Sequence, residues 1–160
     1  MKNILTLAVI LIAACGTAMA QSGKSIYQKY SEAKDVSAVY ISPAMFRMIG
    51  KIPDLNVEGD DVNLSKAIKS LTRLYLIDSE NVSMNSSLKS EVEKFIKGGE
   101  YELLLEAKDD GETVRMYTMG DEKTVTGFVM FAVEEGEVTF ICIDGKMSRE
   151  EMEAILAEQM

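Results

Sequence analysis

The side chains that could do chemistry in this chain are few, and their types exclude more than they suggest. There is no histidine among the 160 residues. Ser-His-Asp and Cys-His nucleophile arrangements are therefore excluded. So are His-ligated zinc, copper and non-haem iron sites. No side chain has an unperturbed pKa near neutrality. Asp54, Asn56, Glu58, Gly59 and Asp60 follow the opening of an EF-hand loop, with glycine at its sixth position. Ser65 stands where the bidentate Glu is needed, and Pro53 interrupts the entering helix, so the segment reads as a solvated acidic loop. Met45 and Met48 lie three apart, as do Met116 and Met119. Thioether clusters can hold copper(I). Three apart on a strand, however, means opposite faces, and methionine is more often adaptable core filler.

Cys142 sits between Ile141 and Ile143, which reads as a buried and unreactive thiol. Glu134/Glu135 and Glu150/Glu151 are acidic pairs in a turn and a helix start, places that favour acids for local reasons. A glycosidase pair needs carboxylates facing each other across a cleft. Tyr27, Tyr30 and Tyr40 are candidates for an aromatic binding surface, though a Tyr with its hydroxyl at the domain edge is the commoner outcome. This reading assigns no catalytic residue, no cofactor and no metal ligand.

The most specific signal is at the N-terminus. Lys2, the apolar run Ile4–Ala14 and the small pair Ala18 and Ala20 have the order of a secretory signal cleaved before Gln21. The apolar run is too short to span a bilayer, which takes about 20 residues. Ile12-Ala13-Ala14-Cys15 also has the form of a lipobox, and lipidation of Cys15 is the one route by which this reading puts the chain on a membrane. The expected division is a signal over 1–20 and a single domain over 21–160, located in the periplasm or secreted. Loss of the signal removes Lys2 and leaves sixteen basic against twenty-six acidic side chains, a net charge of −10. An acidic surface repels phosphate backbones, so nucleic acid is not an expected partner.

The elements that must position these residues can be read from periodicity. Ser22 caps a helix carrying Ile26, Tyr27, Tyr30 and Ala33. Val36–Ile41 is the first strand. Ser42-Pro43 opens a helix with Met45, Phe46 and Ile49, closed by Gly50. Residues 51–61 form a loop, and Leu64, Ala67, Ile68 and Leu71 mark a helical stripe. Leu74–Ile77 is the second strand. Asn85 is expected to cap a helix bearing Leu88, Val92, Phe95 and Ile96, ended by Gly98-Gly99. Four strands follow at Tyr101–Ala107, Thr113–Thr118, Val125–Val133 and Val138–Asp144, joined by short turns that make an antiparallel meander. Strand four divides Val114 and Met116 from Thr113, Arg115 and Tyr117. Strand six is apolar on both faces and is expected to be central and covered on both sides. Val129, Phe131, Phe140 and Ile141 are the expected core. Ser148–Glu151 is a capping box for a last helix burying Met152, Ile155 and Leu156. The fold class is α+β, one sheet of about six strands with helices packed on it.

These pieces resemble the domain of unknown function 4252 family of small exported bacterial proteins. The resemblance rests on the signal, on Val39-Tyr40-Ile41-Ser42-Pro43-Ala44-Met45-Phe46, and on Tyr101-Glu102-Leu103-Leu104 followed by Asp109-Asp110-Gly111. It includes the closing hairpin from Gly127 to Asp144-Gly145. It implies an envelope protein and carries no activity, cofactor or site residue with it. The functional expectation is a non-enzymatic envelope module that binds another protein or a small ligand. The alternatives are a hydrolase using carboxylates alone and a lipid-anchored scaffold.

Overall fold

The computed structural model describes residues 22–49 and 69–157, the side chains of 154–157 excepted. Cys15, Ala18, Ala20 and Gln21 lie outside the described residues. So do Gly50, the 51–61 loop with its EF-hand resemblance, Leu64, Ala67 and Ile68, and the side chains of Ile155 and Leu156. Among the described residues no helix is long and apolar enough to cross a membrane.

The elements set out among the described residues are α1 (Gly23–Tyr30), β1 (Val36–Ile41), α2 (Pro43–Ile49), β2 (Leu71–Ser79), α3 (Val82–Gly98), β3 (Glu102–Asp109), β4 (Glu112–Gly120), β5 (Thr124–Val133), β6 (Val138–Ser148) and α4 (Arg149–Ala157). The strands form one open sheet in the order β1-β2-β6-β5-β4-β3. Every neighbouring pair is antiparallel. The last four strands are the meander that the turn spacing predicts, and β6 then closes against β2 to take a central place.

Local chemistry explains the helix starts. The Ser22 and Ser25 side chains each accept from the other's backbone N–H, at 3.1 and 2.9 Å. Ser42 accepts from the Met45 N–H. Ser148 and Glu151 complete their reciprocal box, each side chain accepting from the other's backbone N–H. Such caps satisfy N–H groups that a helix leaves without partners. Strand ends shift by a few residues, and three departures from the sequence reading have a local cause. The first helix stops at Tyr30, and Ala33 falls in the following turn, where its N–H donates to the Tyr30 carbonyl. Leu71 opens β2 rather than ending a helical stripe. Asn85 is not a cap: α3 begins four residues earlier behind Asn81. The Asn85 side chain instead accepts from the buried Ser79 hydroxyl at 2.7 Å and donates to the Gly136 carbonyl at 2.8 Å. A tertiary bond to β2 and the β5–β6 turn outbids the local cap.

The sheet has two unlike faces. On the front, Val138, Phe140, Cys142 and Asp144 of β6 share a side with Ser79, Ile77, Tyr75 and Arg73 of β2 and with Val133, Phe131, Val129 and Gly127 of β5. Ile26 and Tyr30 of α1 and Leu88, Val92, Phe95 and Ile96 of α3 pack onto this side and make the core. Tyr30 is tied to α3 by its hydroxyl, 3.0 Å from that of Ser87, and Lys29 pairs with Glu91. The back face carries a register row that is apolar across all six strands: Val39, Leu76, Ile141, Met130, Met116 and Leu105. Val39 and Leu105, at its ends, are both 46% exposed. At one end of this face Met152 of α4 joins Leu71, Phe128 and Ile143 round an apolar pocket of about 270 Å³. Val129, Phe131 and Phe140 are buried as expected, but Ile141 is half-buried on the back, because strand parity sends it away from α1 and α3. The outermost strand, β3, is exposed along its whole length and bulged between Leu103 and Leu105.

Candidate functional site

A cleft of about 960 Å³ opens at the front of the sheet, at the end of the strands where β2 begins and β6 approaches α4. Its floor is set by a close approach. A Cβ on Gly23 would stand 2.6 Å from the Cys142 sulfur, so glycine at the first turn of α1 lets the helix settle onto β6. The Cys142 thiol is sealed beneath, and burial pushes its pKa up to about 12, with the Asp144 charge adding. This is the inert core cysteine expected from its neighbours.

One wall is aromatic. Tyr40 of β1 and Tyr75 of β2 are register partners and stack, with centroids 5.1 Å apart and planes at 13°. Tyr27 of α1 leans on both at 6.0 and 5.7 Å. Of the three tyrosines singled out by sequence, Tyr27 and Tyr40 meet here, whereas Tyr30 goes into the core. Opposite, Tyr101 packs on Phe95 at 5.2 Å, and its hydroxyl lies over Gly127, 3.3 Å from where a Cβ would stand. Burial holds the Tyr101 phenol protonated far above its ordinary range, helped by Cys142 and Asp144.

The charged lining comes from four elements. Lys24 of α1, Arg73 of β2 and Lys94 of α3 line the cleft together with Asp144 of β6, the one carboxylate among the described lining residues. Arg73 and Asp144 are register partners. Among the described residues no opposite charge comes within 4 Å of any of these four side chains. Burial raises the Asp144 pKa and the Arg73 charge opposes the rise. The far end of the same strands is acidic: the Glu137 carboxyl is held above its usual range by a hydrogen bond to Asp78, with Glu134 and Glu80 adding.

The remaining sequence candidates do not converge here. Glu134 and Glu135 lie in the β5–β6 turn, and Glu150 and Glu151 lie in the first turn of α4, where Glu151 serves its cap. Met45 and Met48 are exposed on α2; Met119 lines the cleft while Met116 faces the back. Among the described residues no three His, Cys, Asp or Glu side chains gather as metal ligands would. The sequence reading missed Arg73, Tyr75 and Asp144. A signal for them exists: Arg73-x-Tyr75-x-Ile77 and Phe140-x-Cys142-x-Asp144 each carry a charge at an inward parity of an apolar strand. Lys24, Lys94 and Tyr101 had no such signal, because only the packing of α1 and α3 brings them near.

No curated protein and no solved structure matches the chain. A family model does, over residues 30–155, which takes in every strand and most of the cleft. The chain belongs to that family, the domain of unknown function DUF4252.

Proposed function

We propose that this is an exported cell-envelope protein acting as a non-enzymatic binding module, with a small ligand held in the front cleft. The cleft itself carries the reading. Its volume is in the range of small-molecule sites, and an apolar, aromatic lining with a few polar groups is what such sites use. Its recognition groups are clear: the thiol is sealed and protonated, and Asp144 is the one carboxylate among the described lining residues. A hydrolase working by paired carboxylates needs a second acid across the cleft. The back face favours a second reading, a partner protein seated on the six-residue apolar row. Export rests on the Lys2, Ile4–Ala14 and Ala18-x-Ala20 pattern.

Native mass spectrometry of the full-length gene product, taken from its own envelope, tests both halves. The expected species begins at Gln21 and carries one non-covalent small-molecule mass that leaves on gentle activation. A species beginning at Cys15 with acyl mass, abolished by Cys15→Ser, would replace the soluble form with a membrane-anchored one. A bare chain paired with a second protein would move the binding role to the back face.

A further inference from the structure

We propose that the cleft selects small organic anions, a carboxylate or phosphate group carried on a flat, apolar body; this rests on reading the cleft as a ligand site. The first support is an accounting of charge. The chain has 26 acidic side chains for 17 basic ones, yet three of the four charged residues among the described lining of the cleft are basic. Lys24, Arg73 and Lys94 reach the cleft from a helix, a strand and a second helix, against the single carboxylate Asp144. The lining is thus net positive on a chain that is acidic as a whole. Clefts lined by one sign of charge concentrate ligands of the other.

The second support is shape. The guanidinium of Arg73 is a planar fork that matches carboxylate and phosphate oxygens two at a time. Its strand neighbour at the next inward position is Tyr75, stacked on Tyr40. A cation beside a flat aromatic wall fits a ligand with an anionic head and a flat body. Pro43, Phe95 and Met119 supply further apolar lining.

The third support is the direction of pH dependence that Asp144 imposes. It is the lining carboxylate, and its charge repels an anion. The groups facing it are Arg73 and Tyr75 from β2, Cys142 from its own strand, Tyr101 before β3, Lys24 from α1 and Lys94 from α3. Burial raises the Asp144 pKa, with the Arg73 charge opposing, so on acidification Asp144 takes up its proton sooner than an ordinary aspartate. Acidification therefore neutralises the repelling group and tightens anion binding.

The test uses the mature chain and four probes of similar size: benzoate, phenyl phosphate, benzyl alcohol and benzylamine. Binding is followed by calorimetry and by tyrosine fluorescence, which the absence of tryptophan leaves readable. Both anions are expected to bind at least about tenfold more tightly than the alcohol or the amine, their ratio separating carboxylate from phosphate preference. Arg73→Gln should bring the affinities for benzoate and phenyl phosphate down to about that for benzyl alcohol; Lys94→Gln carries the same test if the first variant unfolds. Benzenesulfonate, which stays ionised, should bind more tightly as pH falls, and Asp144→Asn should abolish that dependence. Equal binding of all four probes, or anion binding indifferent to Arg73→Gln and Lys94→Gln, would overturn the anion selectivity and leave the ligand site standing. Failure of every probe to bind would overturn both.

Discussion

Phe140→Ala will lower stability by about 3–5 kcal/mol, the usual loss for a fully buried Phe. Phe140 has no exposed surface. It is flanked across the strands by Ile77 and Phe131, both buried, and meets Phe95 of α3 edge-on at 6.1 Å. Truncation leaves a cavity between the central strands and the helix covering them, and neither wall can close it without shearing the sheet. Thermal unfolding followed by circular dichroism should show a midpoint lower by roughly 10 °C or more for a domain of this size. Ile141→Ala, one residue on, should cost clearly less, because Ile141 is half-buried on the back face and leaves no closed void. Equal losses at the two positions would mean that the parity of β6 is wrong.

The second large effect is expected at Gly120, where β4 turns into β5. Its φ is +149°, a conformation that L side chains rarely adopt, and a Cβ there would stand 2.0 Å from the Thr124 carbonyl oxygen and 2.9 Å from the Val125 Cα. Both obstacles are backbone, so neither can rotate aside. Thr124 is also fixed. Its carbonyl accepts from the Asp121 N–H, and its own N–H donates to the Asp121 carboxylate, which accepts from Lys123 as well and is held below its usual range by these bonds. Gly120→Ala should therefore cost about 3 kcal/mol or more, strain and clash together. Gly98→Ala is the contrast. Gly98 ends α3 with nothing near its missing Cβ, so alanine there should be neutral or stabilising by up to ~1 kcal/mol. Urea unfolding of the two variants side by side decides the point, and similar midpoints would show that the β4–β5 turn can relax.

What could be read in advance follows the range of the interactions involved. Strands β3 to β6 were legible because their alternation and short turns are local properties. So were the caps at Ser22, Ser42 and Ser148, whose partners lie three residues away. The start of α3 was misplaced because Asn85 looks like a cap locally, while its actual partners, Ser79 and Gly136, are six and fifty-one residues distant. Ile141 was misjudged for a related reason. An apolar run announces a buried strand but not that α1 and α3 would both choose the same face. The cleft was the least legible feature, since it joins Lys24 to Asp144 across the whole domain, and only the insertion of β6 beside β2 sets Arg73 opposite Asp144. The two charged interruptions of apolar strands were the trace it left in the sequence.

The outermost strand has a consequence for how crowded molecules of this protein meet. β3 presents Leu103, Leu104 and Leu105, between 40 and 50% exposed, along a rim with no further strand beyond it among the described residues. Such a rim is a template on which another chain can lay its own backbone, strand upon strand, without limit. Here the leucines coincide with the bulge, which breaks the even spacing of the ladder. Beyond them Glu106 is clasped by Lys108 and Arg115, so a visiting strand would have to pass a knot of fixed charges. At this rim, bulge and charge together oppose the growth of the sheet into a fibre.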